Sequence, residues 1–485
     1  MVTHNTNIAI YISSEQLGLY ISIGNYLIEN SSCNVVFLSK DENIKEIAST
    51  KTSAEVVSLD QKSIYTNNKE NIIEKAIIIE EKFNITLSQL MSEDRGLGQG
   101  YLFNVQKVPT IKRANFPYSK KLKILLNEII SIEAAISSYN VDILIQQFPK
   151  KTRNIVARYF NVKTYSLASA RYGDRYFWSD DDYITSSLFI SNILSNIDNN
   201  YRGADNPGYE ILNAAEMLNK AARFDYISAI KRAVFLIFND IKKLLTNRLC
   251  DDSYKIFGWV PSVFRKVSNY KYVNKIGITP EDVQNFNIIY FPLHLEPEVS
   301  LLYFSPEFTN SMEAITWLSK SVPANTVIVV KEQLYCYGVR SLWYYEQLNK
   351  ISNVFLSQPD IHAWEWINAS KVVSTITGTA GTEAVYKNKY VISYGKHQII
   401  NNLPTVFYAS DYQSTKDAID KINNNTFDLS VSRHAYHNAL IESTIELEEY
   451  KNTYHSISEH KKMAIISLQS LSKIDRRVVL SSAKE

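Results

Sequence analysis

The chain has 485 residues, of which 45% are hydrophobic and 21% charged, a globular composition too long for one ordinary domain and unlike a disordered polymer. Lys and Arg number 52 against 50 Asp and Glu, a net charge of +2, so the broad basic surface of a nucleic-acid binder is not expected. Cys33, Cys250 and Cys336 lie far apart with no CxxC pair, which speaks against a disulfide framework or zinc site and fits a reducing, cytoplasmic setting. The start carries no signal-peptide pattern, and no apolar run reaches the length of a transmembrane helix.

Residues 7–12 (NIAIYI) read as a strand, 17–29 as a helix and 34–39 (NVVFLS) as a second strand, the opening rhythm of a parallel α/β sheet. The rhythm returns with a helix over 122–139 before strand 141–146, and a helix over 153–160 before strand 162–166. These define an N-terminal Rossmann-like domain over 1–182. Residues 183–285 read as a helical connecting region. Within it, 229–249 carry Lys231, Arg232, Lys242, Lys243 and Arg248 around an apolar stripe of Val234, Leu236, Ile237, Ile241, Leu244 and Leu245. Such a helix either packs between domains or rests on an anionic membrane surface. A second α/β domain spans 286–413, with strands at 287–293, 326–331, 353–357, 371–377 and 390–394 separated by helices. This spacing predicts a doubly wound parallel sheet. The tail 414–485 reads as helical and is expected to pack back on the body.

In such sheets ligands bind beyond the carboxyl ends of the strands. The segment Thr375-Ile376-Thr377-Gly378-Thr379-Ala380-Gly381-Thr382-Glu383 ends one strand and opens a helix. Its glycines allow close approach, its helix N-terminus offers unpaired N–H groups to a phosphate, and Thr377, Thr379 and Thr382 add hydroxyls. The plainer reading is a helix cap. No Gly-Lys-Ser/Thr follows and GxGxxG is not matched, so ATP and nicotinamide readings weaken. At other strand ends, Lys331 is placed to meet a phosphate or carboxylate and Glu332 a ribose or base. His294, Glu296 and Glu298 add a proton carrier and two carboxylates to the same rim. In the first half, Asp94 and Asp174 lie beside Arg95, Arg171 and Arg175 near glycines, as a catalytic carboxylate and an anion-binding arginine would, or as plain salt bridges. Glu133 is a further catalytic candidate. Asp180-Asp181-Asp182 superficially matches a metal-binding DxD, and His434 and His437 have helical spacing, but neither context suits a metal ion.

Three stretches carry a family resemblance: YFPLHLEPE (290–298), KEQ (331–333) and STITGTAGTEAVYKNKYVISYG (374–395). With DRGLGQGY (94–101) and ARYGDRYFW (170–178), they resemble the capsule and surface-polysaccharide biosynthesis proteins, a GT-B-type glycosyltransferase group that includes bacterial Kdo transferases. The resemblance implies two Rossmann-like domains facing across a cleft, with the nucleotide-sugar donor on the second and a glycan or glycolipid acceptor on the first. It also implies a CMP-linked ulosonic acid such as Kdo as donor, and no obligatory cofactor or metal. Where that group commonly has Lys-Glu-His-Pro, this chain has Lys331-Glu332-Gln333-Leu334. Epimerisation, polyol-phosphate transfer and a non-catalytic scaffold are the alternatives on the same fold.

Overall fold

The computed structural model describes residues 5–14, 16–59, 72–98, 109–199, 224–246, 253–295, 299–424, 427–447 and 457–478. They form two compact units: residues 1–91, 117–192 and 439–485 make the first, and 92–116 with 193–438 the second.

The first unit is a seven-stranded sheet. Its elements begin with β1 (Asn7–Tyr11), α1 (Leu17–Asn30), β2 (Asn34–Ser39), α2 (Glu42–Ser49), β3 (Glu55–Ser58), α3 (Ile72–Phe83) and α4 (Leu87–Glu93). They continue with α5 (Tyr118–Ser138), β4 (Ile143–Gln146), α6 (Lys151–Tyr159), β5 (Lys163–Ser169), β6 (Arg175–Ser179) and α7 (Ser187–Asp198), whose last turns pass into the second unit. Strands β3-β2-β1-β4-β5 run parallel, in the order of a Rossmann half, and β6 closes the sheet antiparallel to β5.

The second unit holds α8 (Tyr226–Leu245), α9 (Val260–Ile276), β7 (Asn287–Pro292), α10 (Val299–Phe304), α11 (Ser311–Ser321), β8 (Thr326–Lys331) and α12 (Leu342–Asn349). It goes on through β9 (Val354–Leu356), α13 (Ala363–Ala369), β10 (Val372–Thr375), α14 (Thr379–Tyr386), β11 (Tyr390–Ser393), β12 (Val406–Tyr408), α15 (Tyr412–Asn424) and α16 (Leu429–Ser443). Its six strands are all parallel in the order β12-β11-β10-β7-β8-β9, the full doubly wound arrangement. Two Rossmann-like units in one chain are the make-up of the GT-B fold class. The chain then returns to the first unit, where β13 (Ile445–Glu446) pairs antiparallel with β6 and α17 (Ile457–Ile474) packs on α1.

The reasons are local. Strands β7, β8, β10 and β11 are near-continuous runs of Val, Ile, Tyr and Phe buried on both faces, as central parallel strands must be. Glycine is scarce, with 14 in the chain, and asparagine takes over the left-handed position that ends a helix. Asn140, Asn161 and Asn388 follow α5, α6 and α14 at φ of 45°, 57° and 52°. The next N–H in each case reaches back five residues: Val141 to Ile136 O, Val162 to Ala157 O, Lys389 to Ala384 O. In the first unit Trp178 is buried and donates its indole N–H to Ser467 O at 2.9 Å, tying α17 to the sheet. The tail is therefore not wholly helical: two of its residues complete a sheet.

The connecting helix α8 differs from a helix buried on its apolar side. Ile227, Ile230, Val234, Phe235, Phe238 and Leu245 are 51–83% exposed, and only Ala229 and Ala233 on this helix are buried.

Candidate functional site

In each sheet one pair of neighbouring strands sends its connections to opposite sides, and the crevice beyond their carboxyl ends is where such sheets bind ligands. In the second unit that pair is β7 and β10. His294 lies just past the end of β7 and is 3% exposed. Its Nε2 stands 3.3 Å from the backbone N of Ile376, 3.3 Å from that of Thr377 and 3.1 Å from Thr375 Oγ1. Two of these partners are obligate donors, so Nε2 carries the lone pair and the ring proton sits on Nδ1. Thr375 Oγ1 in turn accepts from the N–H of Gly378 at 2.9 Å. The turn after β10 is thus wound around an imidazole.

Gly378 is the residue before α14, extended and without a side-chain cap bond. A Cβ there would lie 2.8 Å from both His294 Cε1 and Thr375 Oγ1, so the close winding requires glycine. Helix α14 begins at Thr379, within the segment expected to open it, and aims its N-terminus out of the crevice end of β10. Thr379 is exposed, Thr382 and Glu383 are half-buried and Thr377 is buried, its hydroxyl 3.5 Å from Ser300 Oγ on α10. Burial raises the Glu383 carboxyl above the usual carboxylate range, opposed by a hydrogen bond with Thr379. Gly381 has a packing role: it is buried, its N–H goes to Gly378 O at 3.2 Å, and a Cβ would meet Ile400 Cδ1 at 2.8 Å.

Glu332 and Lys331, at the end of β8, face inward. Glu332 is 2% exposed and accepts from Arg340 Nη1, from the Tyr345 hydroxyl at 2.8 Å and from the Gln333 N–H at 3.0 Å. Arg340, fully buried, also donates Nη2 to His294 O. The strand-end carboxylate therefore holds the backbone of His294 through one arginine and is itself enclosed by protein groups. Gln333, at the departure from the family pattern, donates to Leu293 O at 3.4 Å and belongs to the same brace. Lys331 donates to Pro359 O at 2.8 Å, and burial pushes its ammonium down to about 8. Arg340, Tyr345 and Ser300 were not legible as site residues, since each sits in an apolar or aromatic stretch with no periodic signal.

The candidates from the first half of the sequence fall in separate places. Asp94 lies in the second unit, where Oδ1 accepts from the N–H groups of Gly96 and Leu97 at 2.8 and 2.9 Å and pairs with Arg113 Nη2 at 2.9 Å. Arg95 donates to the Tyr254 hydroxyl at 3.0 Å. Residues 170–174 form the tight turn between β5 and β6, with Arg171 and Gly173 at φ of 58° and 50°. Asp174 accepts the Leu447 N–H on its backbone oxygen. Arg175 meets Thr444 Oγ1 at 3.2 Å and Glu446 Oε2 at 3.7 Å, joining β6 to β13. Glu133 pairs with Lys82 between α5 and α3. Glu296 and Glu298 lie outside the described residues. Asp181 accepts the N–H groups of Tyr183 and Thr185, each at 2.9 Å, and Asp180 accepts that of Ser187 at 2.9 Å. Asp182 binds Asn154 at 2.8 Å and Arg158. Asp180 and Asp181 thus stitch their own loop, and Asp182 ties it to α6. His437 Nδ1 is 3.1 Å from the Tyr386 hydroxyl. Among the described residues no group of three His, Cys, Asp or Glu side chains is placed to hold a metal ion.

No protein-family model matches the chain, and no curated protein matches its sequence. Among solved structures it is similar to the beta-Kdo 2,7 transferase KpsC of Thermosulfurimonas dismutans, at 13% identity over 73% of this chain and 98% of that one, TM-score 0.35. It is also similar to the UDP-GlcNAc 2-epimerase of Methanocaldococcus jannaschii, at 10% identity over 96% and 99% of the two chains, TM-score 0.23. A third is Anabaena Alr3699/HepE in complex with UDP-glucose, at 9% identity over 96% and 100%, TM-score 0.29. The fold assignment rests on the strand orders of the two sheets themselves.

Proposed function

We propose that this chain is a glycosyltransferase that takes a nucleotide-activated sugar, a CMP-linked ulosonic acid being favoured, and transfers it to a growing bacterial surface glycan. The observation that carries the reading is the α14 N-terminus at the β7/β10 crevice. The first N–H groups of a helix have no partner within it, and with the partial positive charge there they favour a phosphate. Thr379 and Thr382 add hydroxyls on the exposed side of that turn, and Glu383 follows as a contact for ribose. His294, its Nε2 committed to the turn, shapes the phosphate platform. Lys331 and Glu332 act behind it as supports. The acceptor is assigned to the first unit and no metal is required.

The test is thermal unfolding with CMP, UDP, GDP, CDP and ADP, with and without magnesium, on the wild type and on Thr379→Glu. A carboxylate in the first turn of a helix is compatible with folding but repels phosphate. One nucleotide should stabilise the wild type by ligand linkage and fail with the variant. Equal stabilisation of a folded Thr379→Glu protein would sink the assignment.

The second part of the proposal concerns α8. Its exposed apolar residues are flanked by Lys231, Arg232, Lys242 and Lys243, the composition of a helix that lies in an anionic membrane surface. Among the described residues no helix is long and apolar enough to cross a membrane. We assign α8 as a peripheral contact with the inner membrane face, where a lipid-linked acceptor would be met.

A further inference from the structure

The first sheet has its own switch point, between β1 and β4, and a group of charges is buried there. Glu128, on α5, is 1% exposed. Its Oε2 accepts from Lys40 Nζ at 2.9 Å and from Lys150 Nζ at 2.6 Å. Lys40 follows the last residue of β2, and Lys150 is the residue before α6. Arg153, in the first turn of α6, is 6% exposed and lays its guanidinium 3.8 Å from the ring centre of Tyr11, the last residue of β1. Three cations thus share one carboxylate around the carboxyl ends of β1, β2 and β4.

Hydrogen bonding within the group is incomplete on both sides: Glu128 Oε1 is buried without a partner, and so are donors of Arg153. Arg153 Nη2 reaches Phe148 O at 3.5 Å, while Nε and Nη1 are buried with no hydrogen-bond partner. The buried Thr152 hydroxyl beside it is likewise unmet. Lys150 makes no side-chain cap on α6, and the N–H groups of Arg153 and Asn154 go to its backbone oxygen, each at 2.9 Å. Asp182, on the loop after β6, is committed to Asn154 and Arg158. Buried donors of a charged group left without acceptors are costly, and an arginine cannot shed its charge. The lysines remain 26% and 30% exposed, so the recess is open to solvent on their side.

We propose that this recess binds an oxyanion, the phosphate or carboxylate of a substrate, on Arg153, Lys40 and Lys150, with Glu128 fixing the two lysines. Glu128 holds both on its Oε2 and so keeps them side by side. The incoming anion takes the Arg153 donors that the protein leaves unmet. The site belongs to the first unit and does not depend on the nucleotide reading of the second.

The test uses the full chain without nucleotide. Thermal unfolding is followed in sodium phosphate and in sodium glucuronate, against sodium chloride of equal ionic strength and against glucose. Saturable stabilisation by phosphate or by glucuronate, with none from glucose, is expected. Stronger binding of phosphate assigns a phosphorylated ligand, and stronger binding of glucuronate an acidic sugar. Arg153→Met should weaken binding by at least tenfold, and Lys150→Gln likewise if Arg153→Met does not fold. The proposal is overturned if neither anion stabilises beyond chloride, or if the folded variant binds as tightly as the wild type. Because the α14 N-terminus is also read as a phosphate site, stabilisation by phosphate counts for this recess only where Arg153→Met or Lys150→Gln weakens it, and on that readout the two proposals fail separately.

Discussion

Glu332→Gln isolates the charge that braces the β7/β10 crevice. The amide is nearly isosteric and still accepts from Tyr345 and from one arginine N–H, so shape and most hydrogen bonds survive. What is lost is the counter-ion of Arg340, which is fully buried and always charged. Removing one partner of a buried ion pair costs about 3–5 kcal/mol. For a unit of this size each kcal/mol moves the midpoint by about 2–4 °C. The transition of the second unit in differential scanning calorimetry should therefore fall by about 6–20 °C. Because Arg340 also holds His294 O, nucleotide stabilisation should fall with it. The double variant Glu332→Gln/Arg340→Gln removes the charge altogether and should recover part of the loss, a coupling read as a double-mutant cycle. A shift of less than about 2 °C in the single variant, or no recovery in the double, would refute the view that this pair is what holds the brace.

Two glycines at the same rim separate packing from backbone approach. A Cβ at Gly395 would lie 2.4 Å from Ile376 O, a backbone atom, whereas at Gly381 it meets the flexible end of Ile400. Gly395→Ala should therefore unfold the unit at clearly lower urea than Gly381→Ala, and the reverse order would count against this packing. For α8, Phe238→Ser with Leu245→Ser should abolish co-sedimentation with phosphatidylglycerol vesicles without changing the unfolding midpoint; undiminished binding would remove the helix as the contact. Stability should also depend on pH through Lys331. Burial depresses its folded value to about 8 from 10.5, so the unfolded chain holds the extra proton between those values and stability rises with pH across that window. The buried tyrosines, whose values are raised, act in the opposite direction above about pH 10. Lys40 is depressed to about 8 as well and adds a rise of the same sign. The rise should therefore be sought between about pH 8 and 9.5 by urea titration, and Lys331→Met should reduce it without abolishing it; an unchanged slope would mean that Lys331 does not titrate there.

The sequence was legible where one segment carries its own signal. The β7, β8, β10 and β11 runs are β-branched and buried on both faces, which no surface strand would tolerate. The short strands β3, β6, β12 and β13 carried no such run. The two residues of β13 are a strand only because β6, far away in sequence, offers them a partner. The start of α14 carries no sequence signal of its own, because Gly378 lacks a capping side chain and Thr375 supplies the bond from the strand before it. On α5 the choice of Glu133 fell on a half-exposed pair with Lys82, while Glu128 lies wholly inside. Local pattern cannot distinguish them, because what makes Glu128 special is Lys40 and Lys150, brought in from other strands' ends.

The two switch points share a topology and differ in chemistry, and the difference has a measurable consequence. In the second unit the crevice is lined by neutral donors: a helix N-terminus, threonine hydroxyls and an imidazole whose proton sits on Nδ1, with the nearby ion pair of Glu332 and Arg340 internally balanced. In the first unit Lys40, Lys150 and Arg153 gather around Glu128, and the two lysines are partly open to solvent. The salt dependence of anion binding grows with the number of full charges that meet the ligand, and the recess offers three such side chains whereas the helix N-terminus offers a partial charge. Anion binding at the Arg153 recess should therefore weaken steeply between low and physiological ionic strength, while nucleotide binding at α14 should weaken much less. Titrating both ligands on the same preparation across that range would read the two sites independently, and equal salt slopes would contradict the division of charge on which both assignments rest.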